Sequence, residues 1–503
     1  MLENFLSGLQ TALTLQNLLI LGLGVVGGTV IGMLPGLGAA SGMALLMPLA
    51  AGMDPLQGLI LLAAIYYGTQ YGGSTTAILL NTPGDASQLM TTIDGYAMAK
   101  RGKHGTALTI SATASFAGGV LTLPFLVFLG PALAEVALKL GPPEMLVLLI
   151  FALVSVAALT SQHRAKAYSM AAFGILLSTV GFDPQYGAPR LTFGSAGLLN
   201  GIHLVPVIIG VFALGEVLNQ LGKGPAKPLR ARFRDLFPSW SEIRESIPPT
   251  LRGSVIGFII GVLPAAGSTI ATYFAYDVER KVPDKGRRPM GTGSIRGVAA
   301  PEGANNAAVN GAFVPTLSLG IPGSATTAIL LGALLIYGFQ PGPTFIPENP
   351  DLYWGLIASF LLGNIALLVL NVPLVPFFAS ALRVPYMLLF PAVVSTCLIG
   401  AYALRNNLFD VLVTAIFGIV GFLMIRGNFP AAPLVLGLVF GRLLEENLVR
   451  TSGMGHGDLT VIFQRPISLA LVILTVLVVI APPLWGKWRA RTKSKQQESV
   501  TAT

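Results

Sequence analysis

Long apolar runs fill most of this chain, and short polar or Pro-Gly segments separate them from one another. A membrane-spanning helix takes about 20 predominantly apolar residues, so a chain of 503 residues has room for roughly 11–15 spans. The pattern predicts an all-α polytopic membrane protein, because a helix satisfies its backbone polar groups internally when no water is present.

Four proline-containing segments interrupt runs that are otherwise apolar: Pro35-Gly36, Pro83-Gly84, Pro264 and Pro322-Gly323. A proline removes one backbone donor and clashes with the preceding turn, so each segment predicts a broken or re-entrant helix. The N-terminus of a half-helix attracts anions and freed carbonyls coordinate Na⁺, so four breaks predict a binding site at membrane depth. The alternative is that these segments are simple kinks or the ends of loops.

Similar sequences recur in the same order in the two halves of the chain. The pairs are VIGMLPGLG (30–38) with IIGVLPAAG (259–267), NTPG (81–84) with GIPG (320–323), ASF (114–116 and 358–360), and PVIIG (206–210) with PLVLG (433–437). They predict an internal duplication, with a first transmembrane repeat at 1–220 and a second at 252–445. Residues 221–251 are expected to form a cytoplasmic linker, and residues 446–503 an extra transmembrane helix and a basic cytoplasmic tail. Chance recurrence of Gly, Pro, Ala and Leu is the alternative.

The charged residues indicate how the chain is oriented. Only 11% of the residues are charged, against roughly 25% in soluble proteins, which excludes a soluble enzyme. Most of the 31 lysines and arginines lie in four segments, at 100–103, 223–252, 280–296 and 487–495. Loops rich in Lys and Arg stay in the cytoplasm, so the net charge of +9 reflects membrane topology rather than nucleic-acid binding.

Equivalent loops of the two halves carry opposite charge. In the first pair, the loop after NTPG is basic, whereas the loop after GIPG (338–352) contains no Lys or Arg. In the second pair the order is reversed: the loop at 50–57 contains no Lys or Arg, and its counterpart at 280–296 is basic. Opposite charge predicts two inverted repeats, the architecture of many secondary transporters, with an elevator-like motion. The N-terminus is predicted to be periplasmic and the C-terminus cytoplasmic.

Hydroxyl and amide side chains are dense beside the breaks, and neutral donors and acceptors of this kind suit a carboxylate ligand. The predicted substrate-binding residues are Pro35, Gly36, Gly38, Ser74, Thr75, Thr76, Asn81, Pro83, Gly84, Pro264, Gly267, Ser268, Pro322, Gly323, Ser324, Thr326 and Thr327. The alternative for any single threonine is a hydrogen bond to its own helix and packing between helices.

Two acids and three amides are candidates for binding a coupling ion: Asp85, Glu302, Asn305, Asn306 and Asn310. Ionisable groups at membrane depth are costly and usually functional. The alternative for both acids is an ordinary position in the first turn of a helix.

The chain lacks the motifs of common enzymes. It contains no GxxxxGK[ST], HExxH or GxSxG sequence and a single cysteine, Cys397, so no catalytic residue, cofactor or metal site is predicted beyond a possible Na⁺ or H⁺ as coupling ion. Paired breaks in two inverted halves favour a secondary transporter, and the neutral donors and acceptors beside them suit a carboxylate and a Na⁺ ion. Two alternatives stay open: an intramembrane enzyme acting on a lipid-linked substrate, and a passive anion channel.

Four long motifs resemble the tripartite tricarboxylate transporter family, large membrane subunit (TctA-like): VIGMLPGLGAASG, YYGTQYGGSTTAILLNTPGDAS, DGYAMAKRGKHG and APEGANNAAVNGAFVPTLSLGIPG. The resemblance extends from about residue 17 to about residue 450. It implies a multi-pass protein of the bacterial inner membrane that works with a small four-helix membrane subunit and a periplasmic solute-binding protein. It further implies an importer, or symporter, of a citrate-like tricarboxylate or related organic carboxylate, driven by a Na⁺ or H⁺ gradient rather than by ATP. Such a protein acts within the lipid bilayer, and no nucleic acid is expected as a partner.

Overall fold

The fold is helical almost throughout, which confirms the predicted all-α class. A computed structural model describes residues 1–34, 36–160, 163–183, 186–221, 237–264, 266–284, 286–373 and 386–479. The first ten helices are α1 Leu2–Ala12, α2 Leu15–Met33, α3 Ala39–Ala51, α4 Pro55–Leu80, α5 Leu89–Lys100, α6 His104–Ala137, α7 Pro142–Thr160, α8 Arg164–Ser178, α9 Leu204–Gln220 and α10 Trp240–Val262.

The remaining helices are α11 Gly267–Arg280, α12 Arg296–Leu319, α13 Ala325–Ile336, α14 Phe345–Glu348, α15 Pro350–Asn371, α16 Tyr386–Ala403, α17 Leu408–Arg426, α18 Ala431–Met454, α19 Val461–Gln464 and α20 Pro466–Val479. Two short 3₁₀ turns cover Ala86–Gln88 and Ala196–Leu198, and α9 contains a π-helical stretch at Ile209–Leu214. Among the described residues, two-residue strands β1 (Gly181–Phe182) and β2 (Pro189–Arg190) form one antiparallel pair.

Many helices are apolar enough for a lipid bilayer. Within the described ranges, four are long and apolar enough to cross it, namely α2, α6, α15 and α17. Six shorter apolar helices accompany them. The chain is a multi-pass membrane protein.

Two compact units divide the chain, and they do not follow its two halves in sequence. The first unit comprises Met1–Leu138 and Ile202–Ala431, and the second comprises Lys139–Gly201 and Ala432–Thr503. Within the second unit, Gly437 of α18 meets the backbone of α8 at Ala171. All four breaks lie in the first unit.

The first unit contains one series of elements twice. The first series is α2, a break, α3, α4, a second break and α5. The second series is α10, a break, α11, α12, a further break and α13. Both long helices before the second break end in a left-handed residue, Asn81 (φ 57°) after α4 and Gly320 (φ 69°) after α12. The left-handed conformation lets the chain turn back beside the helix that it has just left.

Close glycine contacts recur in both series. A Cβ atom at Gly28 would lie 2.6 Å from the carbonyl oxygen of Ile65, and one at Gly257 would lie 2.2 Å from that of Ala304. The two contacts also occupy equivalent places in the sequence. Gly257 lies as far after Gly28 as Pro264 lies after Pro35, and Ala304 lies as far after Ile65 as Pro322 lies after Pro83. Both contacts let two parallel helices approach closely, and their repetition agrees with the predicted duplication.

Helices α4 and α12, which occupy equivalent places in the two series, run in opposite directions. Tyr66 contacts Phe313 with ring centroids 6.2 Å apart, and Ser74 contacts Glu302 at 2.8 Å. The residue number therefore rises along α4 while it falls along α12. Antiparallel counterparts are what inverted repeats require, although the orientation of each half in the membrane and the elevator motion remain predictions.

Some predicted boundaries differ from the structure. Helix α10 begins at Trp240, so residues 240–251 of the expected linker are helical, while residues 222–236 lie outside the described range. Ser239 caps α10 by accepting a hydrogen bond from the amide of Glu242, which explains the early start. Helix α18 continues to Met454, past the expected end of the second repeat. The additional helix at the C-terminal end is α20, and the basic tail lies outside the described residues.

Candidate functional site

The ends of the broken helices meet around the side chain of Tyr66, which is buried in α4. Its hydroxyl oxygen lies 3.4 Å from the Oγ atom of Ser324, which follows the fourth break. Ser268 and Thr326 are within its reach, and the carboxyl group of Asp85 is near enough to act on it electrostatically. Residues from the second, third and fourth breaks thus surround one phenol, which sequence motifs did not single out.

The carboxyl group of Asp85, which follows the second break, lies at the ends of both the first and the second break. It accepts a hydrogen bond from the amide of Ala86 at 2.5 Å, and its amide donates to Gln88 Oε1 at 2.7 Å. The carboxylate also lies against Gly38, the N-cap of α3, where it leaves no room for a Cβ atom. The N-terminus of α3 therefore already has a carboxyl group beside it.

Ser324 is the counterpart of Asp85 in the second half, and it is neutral. It forms a reciprocal cap with Thr327, in which Ser324 N donates to Thr327 Oγ1 at 2.9 Å and Thr327 N donates to Ser324 Oγ at 3.1 Å. Its Cβ atom would lie 3.3 Å from a Cβ atom at Gly267, where α11 begins. The N-cap residue of α11 is Ala266, whose side chain has no polar atom that could cap the helix. The N-terminus of α11 is thus the half-helix end suited to a ligand anion.

Other predicted substrate residues have structural roles. The hydroxyls of Thr75 and Thr76 donate to the carbonyls of Tyr71 and Gly73 in the same helix, at 3.3 and 2.9 Å. Both hydroxyls thus make the hydrogen bonds to their own helix that the alternative interpretation describes, and their role as ligands stays a prediction.

The prolines and glycines shape the breaks rather than present side chains. Gly36 has a φ of 83° and lies against Gln220, and Pro35 lies outside the described residues. Gly84 and Gly323 let the returning chain touch Gly73 and Ala312. Pro83, Pro264 and Pro322 lie within the non-helical turns, and Asn81 is the C-cap of α4.

A second cluster surrounds Glu302, whose side chain is 1% exposed. Its Oε1 atom accepts hydrogen bonds from Ser74 at 2.8 Å and from Thr91 at 2.5 Å, and its Oε2 atom accepts from Ser115 at 2.8 Å. Ser111 is also within reach. The donors come from α4, α5 and α6, so three helices converge on one carboxylate of α12. Among the described residues, Glu302 forms no ion pair.

Unpartnered amides lie beside Glu302. Asn305 and Asn306 are 1% and 0% exposed, and within the described part of the chain neither amide has a hydrogen-bond partner on its nitrogen or its oxygen. They follow Glu302 by three and four residues, so they lie on the same side of α12. The hydroxyl of Tyr71 lies near Asn306 and Glu302 without a hydrogen bond that meets the usual geometry. A carboxylate with spare amide oxygens nearby offers the all-oxygen surroundings that a hard cation prefers.

Asn310 differs from the expectation that it binds the coupling ion. Its oxygen accepts a short hydrogen bond from Tyr67, and its nitrogen donates to Gly119 O at 2.6 Å and Thr122 Oγ1 at 2.9 Å. The amide therefore ties α12 to α4 and α6, with both N–H groups and one lone pair of its oxygen used within the protein.

Asp94 is a further buried acid, which opens the motif DGYAMAKRGKHG but was not among the predicted site residues. Asp94 of α5 is fully buried and accepts hydrogen bonds from the amides of Gly291, Gly293 and Ser294 at 2.7–3.0 Å, and from the hydroxyl of Tyr276 at 2.8 Å. It holds the basic segment before α12 against α5. The acid in the otherwise neutral stretch Leu89–Ala99 was the signal that could have revealed it.

Comparison with known proteins gives one family. The model described as "Tripartite tricarboxylate transporter TctA family" matches residues 18–436. A protein of Agrobacterium vitis described as "Uncharacterized 52.8 kDa protein in TAR-I ttuC' 3'region" is 40% identical over 491 residues, which cover 97% of this chain and 98% of that protein. A second from the same organism, "Uncharacterized protein in TAR-II ttuC' 3'region", is 43% identical over 224 residues, 44% of this chain and 92% of that protein. No solved structure matches the chain.

Proposed function

Because the chain belongs to the tripartite tricarboxylate transporter TctA family, we propose that it is the large membrane subunit of an ion-gradient-driven importer of organic carboxylates. A citrate-like tricarboxylate is the first substrate to test. The observation that carries the proposal is the meeting of broken helices from both halves around Tyr66, within one compact unit.

The substrate carboxylate binds at the N-terminus of α11. The first amides of a helix carry partial positive charge and attract anions. Gly267 and Ser268 supply these amides, Ser324 and Thr326 supply hydroxyls, and Tyr66 supplies a phenol. An anion held by neutral groups is bound weakly enough to be released on the other side of the membrane.

A coupling cation, Na⁺ or H⁺, neutralises Glu302 during transport. A bare carboxylate in a low-dielectric interior is costly, so neutralisation lowers the barrier to moving the helices that hold it. Asn305, Asn306 and Tyr71 provide nearby oxygens whose hydrogen-bonding capacity is unused in the described structure.

Two partner proteins complete the transporter in this proposal. A small four-helix membrane subunit accompanies the chain in the bacterial inner membrane, and a periplasmic solute-binding protein delivers the carboxylate. Both follow from family membership rather than from a surface of this molecule.

The test is uptake of labelled citrate and other carboxylates into proteoliposomes that contain the chain and its two partners. Uptake should require the binding protein and should stop when the Na⁺ and H⁺ gradients are collapsed, and imposing each gradient alone identifies the ion. Uptake that requires neither the binding protein nor an ion gradient would indicate a passive channel. If no carboxylate were taken up and a lipid-linked compound were chemically converted, an enzyme would be favoured.

A further inference from the structure

A separate cavity of about 320 Å³ lies at the far end of α13. Apolar side chains form much of its wall, among them Leu335, Ile336 and Leu404, and three polar ones lie at it, His203, Arg405 and Asp410. Helix α13 rises about 1.5 Å per residue, so its last turn lies roughly 15 Å from the Ser324 cap that faces Tyr66. The cavity is therefore distinct from the proposed substrate site.

Two opposite charges stand at this cavity without a close contact between them. Arg405 Nη1 lies 3.8 Å from Asp410 Oδ2, which is too long for a hydrogen bond. Asp410 is 1% exposed, and among the described residues its Oδ2 atom has no hydrogen-bond partner. A buried carboxylate normally accepts several hydrogen bonds, so this one has acceptor capacity that a bound donor would fill.

His203 adds a neutral polar group. Burial lowers the pKa of its imidazole below the usual 6.5, and the positive charge of Arg405 lowers that pKa further, against the opposing effect of Asp410. The ring is therefore neutral near pH 7, and within the described structure its Nε2 atom has no partner. Arg405 is then the cation of this cavity.

The cavity lies next to a surface suited to lipid. Leu335 and Ile336, at the wall of the cavity, are 41% and 39% exposed. A ligand with an apolar tail can thus keep its tail on this surface while its polar end enters the cavity.

We propose that the cavity binds the headgroup of a zwitterionic phospholipid with a primary amine, of the phosphatidylethanolamine type. The phosphate binds Arg405 and His203, the ammonium donates to Asp410, and the glycerol and first acyl carbons contact the apolar wall. A free tricarboxylate fits less well, because Asp410 repels it and the apolar wall offers it nothing. A quaternary choline has no N–H to donate to Asp410.

The test is lipid binding to the purified full-length chain after delipidation, with native mass spectrometry counting bound phosphatidylethanolamine, phosphatidylglycerol or phosphatidylcholine. Wild type should bind the ethanolamine lipid about tenfold more tightly than the others, since a charge-assisted hydrogen bond is worth at least that factor. Arg405→Gln should weaken binding about ten- to hundredfold, with partial recovery in Arg405→Lys. Asp410→Asn should abolish the preference for ethanolamine over choline.

The matched control is Arg426→Gln, at the other end of α17, where the guanidinium lies 5.2 Å from the ring of Phe422. It should bind lipid as the wild type does. Equal binding of all three lipids, unchanged binding in Arg405→Gln, or displacement of the lipid by citrate would each overturn the proposal. Elution of every variant as a monodisperse species separates lost binding from lost folding.

Discussion

Glu302 is a carboxylate surrounded by hydroxyls rather than by a basic side chain. A hydroxyl can donate to the charged carboxylate and, after rotation, accept from a protonated one. Ser74, Thr91 and Ser115 therefore fit both forms of Glu302, whereas an arginine would fix it as the anion. The surroundings suit a group whose charge is neutralised and restored in each cycle.

Glu302→Gln should separate transport from coupling. The amide is neutral, so no cation is needed to neutralise it, and the hydroxyls can turn to hydrogen-bond with it. We expect exchange of labelled for unlabelled carboxylate to continue while gradient-driven accumulation is lost, measured in the same proteoliposomes. Glu348→Gln, at an exposed glutamate, is the control and should accumulate substrate normally. Normal accumulation by Glu302→Gln would make Glu302 a structural acid.

Asp85→Ser should make the first half of the site resemble the second, where Ser324 occupies the equivalent place. Serine preserves the helix cap, so the change in stability should stay below about 1 kcal/mol. Removal of a like charge near the anion should lower the apparent dissociation constant for the carboxylate about tenfold, since such a charge costs on the order of 1–2 kcal/mol. Competition binding measures this constant. Asp85→Asn should behave similarly, and weaker binding in both variants would contradict a purely repulsive effect of Asp85.

Sequence motifs identified the acids and amides around Tyr66 and Glu302, but not the residues that surround them. Glu302, Asn305 and Asn306 stood out because they are polar residues in an apolar run. Thr91, Ser115 and Tyr66 did not, since each is unremarkable in its own helix and becomes informative only when helices from both halves meet. Thr75 and Thr76 were expected to bind substrate. Hydroxyl density alone could not show that both hydroxyls donate to carbonyls of their own helix.

At the scale of the helices, glycines set how closely pairs can pack. Gly24, Gly28 and Gly32 of α2 lie against α4, and Gly253, Gly257 and Gly261 of α10 lie against α12. This spacing of four residues places all three on one helix face. The spacing was readable from the sequence, but the partner helix was not, because the contacting residues are ordinary apolar ones.

Gly28→Ala should destabilise the protein, whereas Gly27→Ala should not. A Cβ atom at Gly28 would lie 2.7 Å from Ile65 Cα, so α2 and α4 would have to separate, at a cost of about 1–3 kcal/mol. A Cβ atom at Gly27 meets nothing within 4 Å, and alanine there should stabilise the helix by about 0.5–1 kcal/mol. Thermal unfolding in detergent measures both. An equal Tm for the two variants would contradict the close packing of α2 on α4.

The prolines located the breaks in the sequence, but they did not show what occupies each break. The carboxyl group of Asp85 lies against Gly38, at the first half-helix end, whereas Ser324 lies against Gly267, at the third. Both contain the same Leu-Pro motif. The difference arises from residues 85 and 324, which reach those ends through the fold, so the local motif could not reveal it.

For the whole molecule, the counterpart helices of the two series run in opposite directions, as the predicted inverted repeats require. Helices α4 and α12 contact each other in antiparallel order, and each lies parallel to its own glycine-bearing partner, α2 or α10. Motif order and loop charge predict inverted repeats, and these stay a prediction until the orientation of each half in the membrane is measured. The sequence did not predict the two compact units, because the described residues of 139–201 and 432–479 belong together in space while lying far apart along the chain.

Loop accessibility tests the predicted inversion directly. Four exposed loop residues mark equivalent turns, Gly52 with Arg287 and Lys103 with Glu348. In this experiment the buried native Cys397 is first replaced by alanine. Single cysteines at these positions should react with a membrane-impermeant maleimide from opposite sides within each pair. Because basic loops stay inside, Gly52→Cys and Glu348→Cys should react in intact spheroplasts, and Lys103→Cys and Arg287→Cys only in inside-out vesicles. If Gly52→Cys and Arg287→Cys reacted from the same side, the two halves would have the same orientation, and the exchange of conformations between inverted repeats would lose its basis.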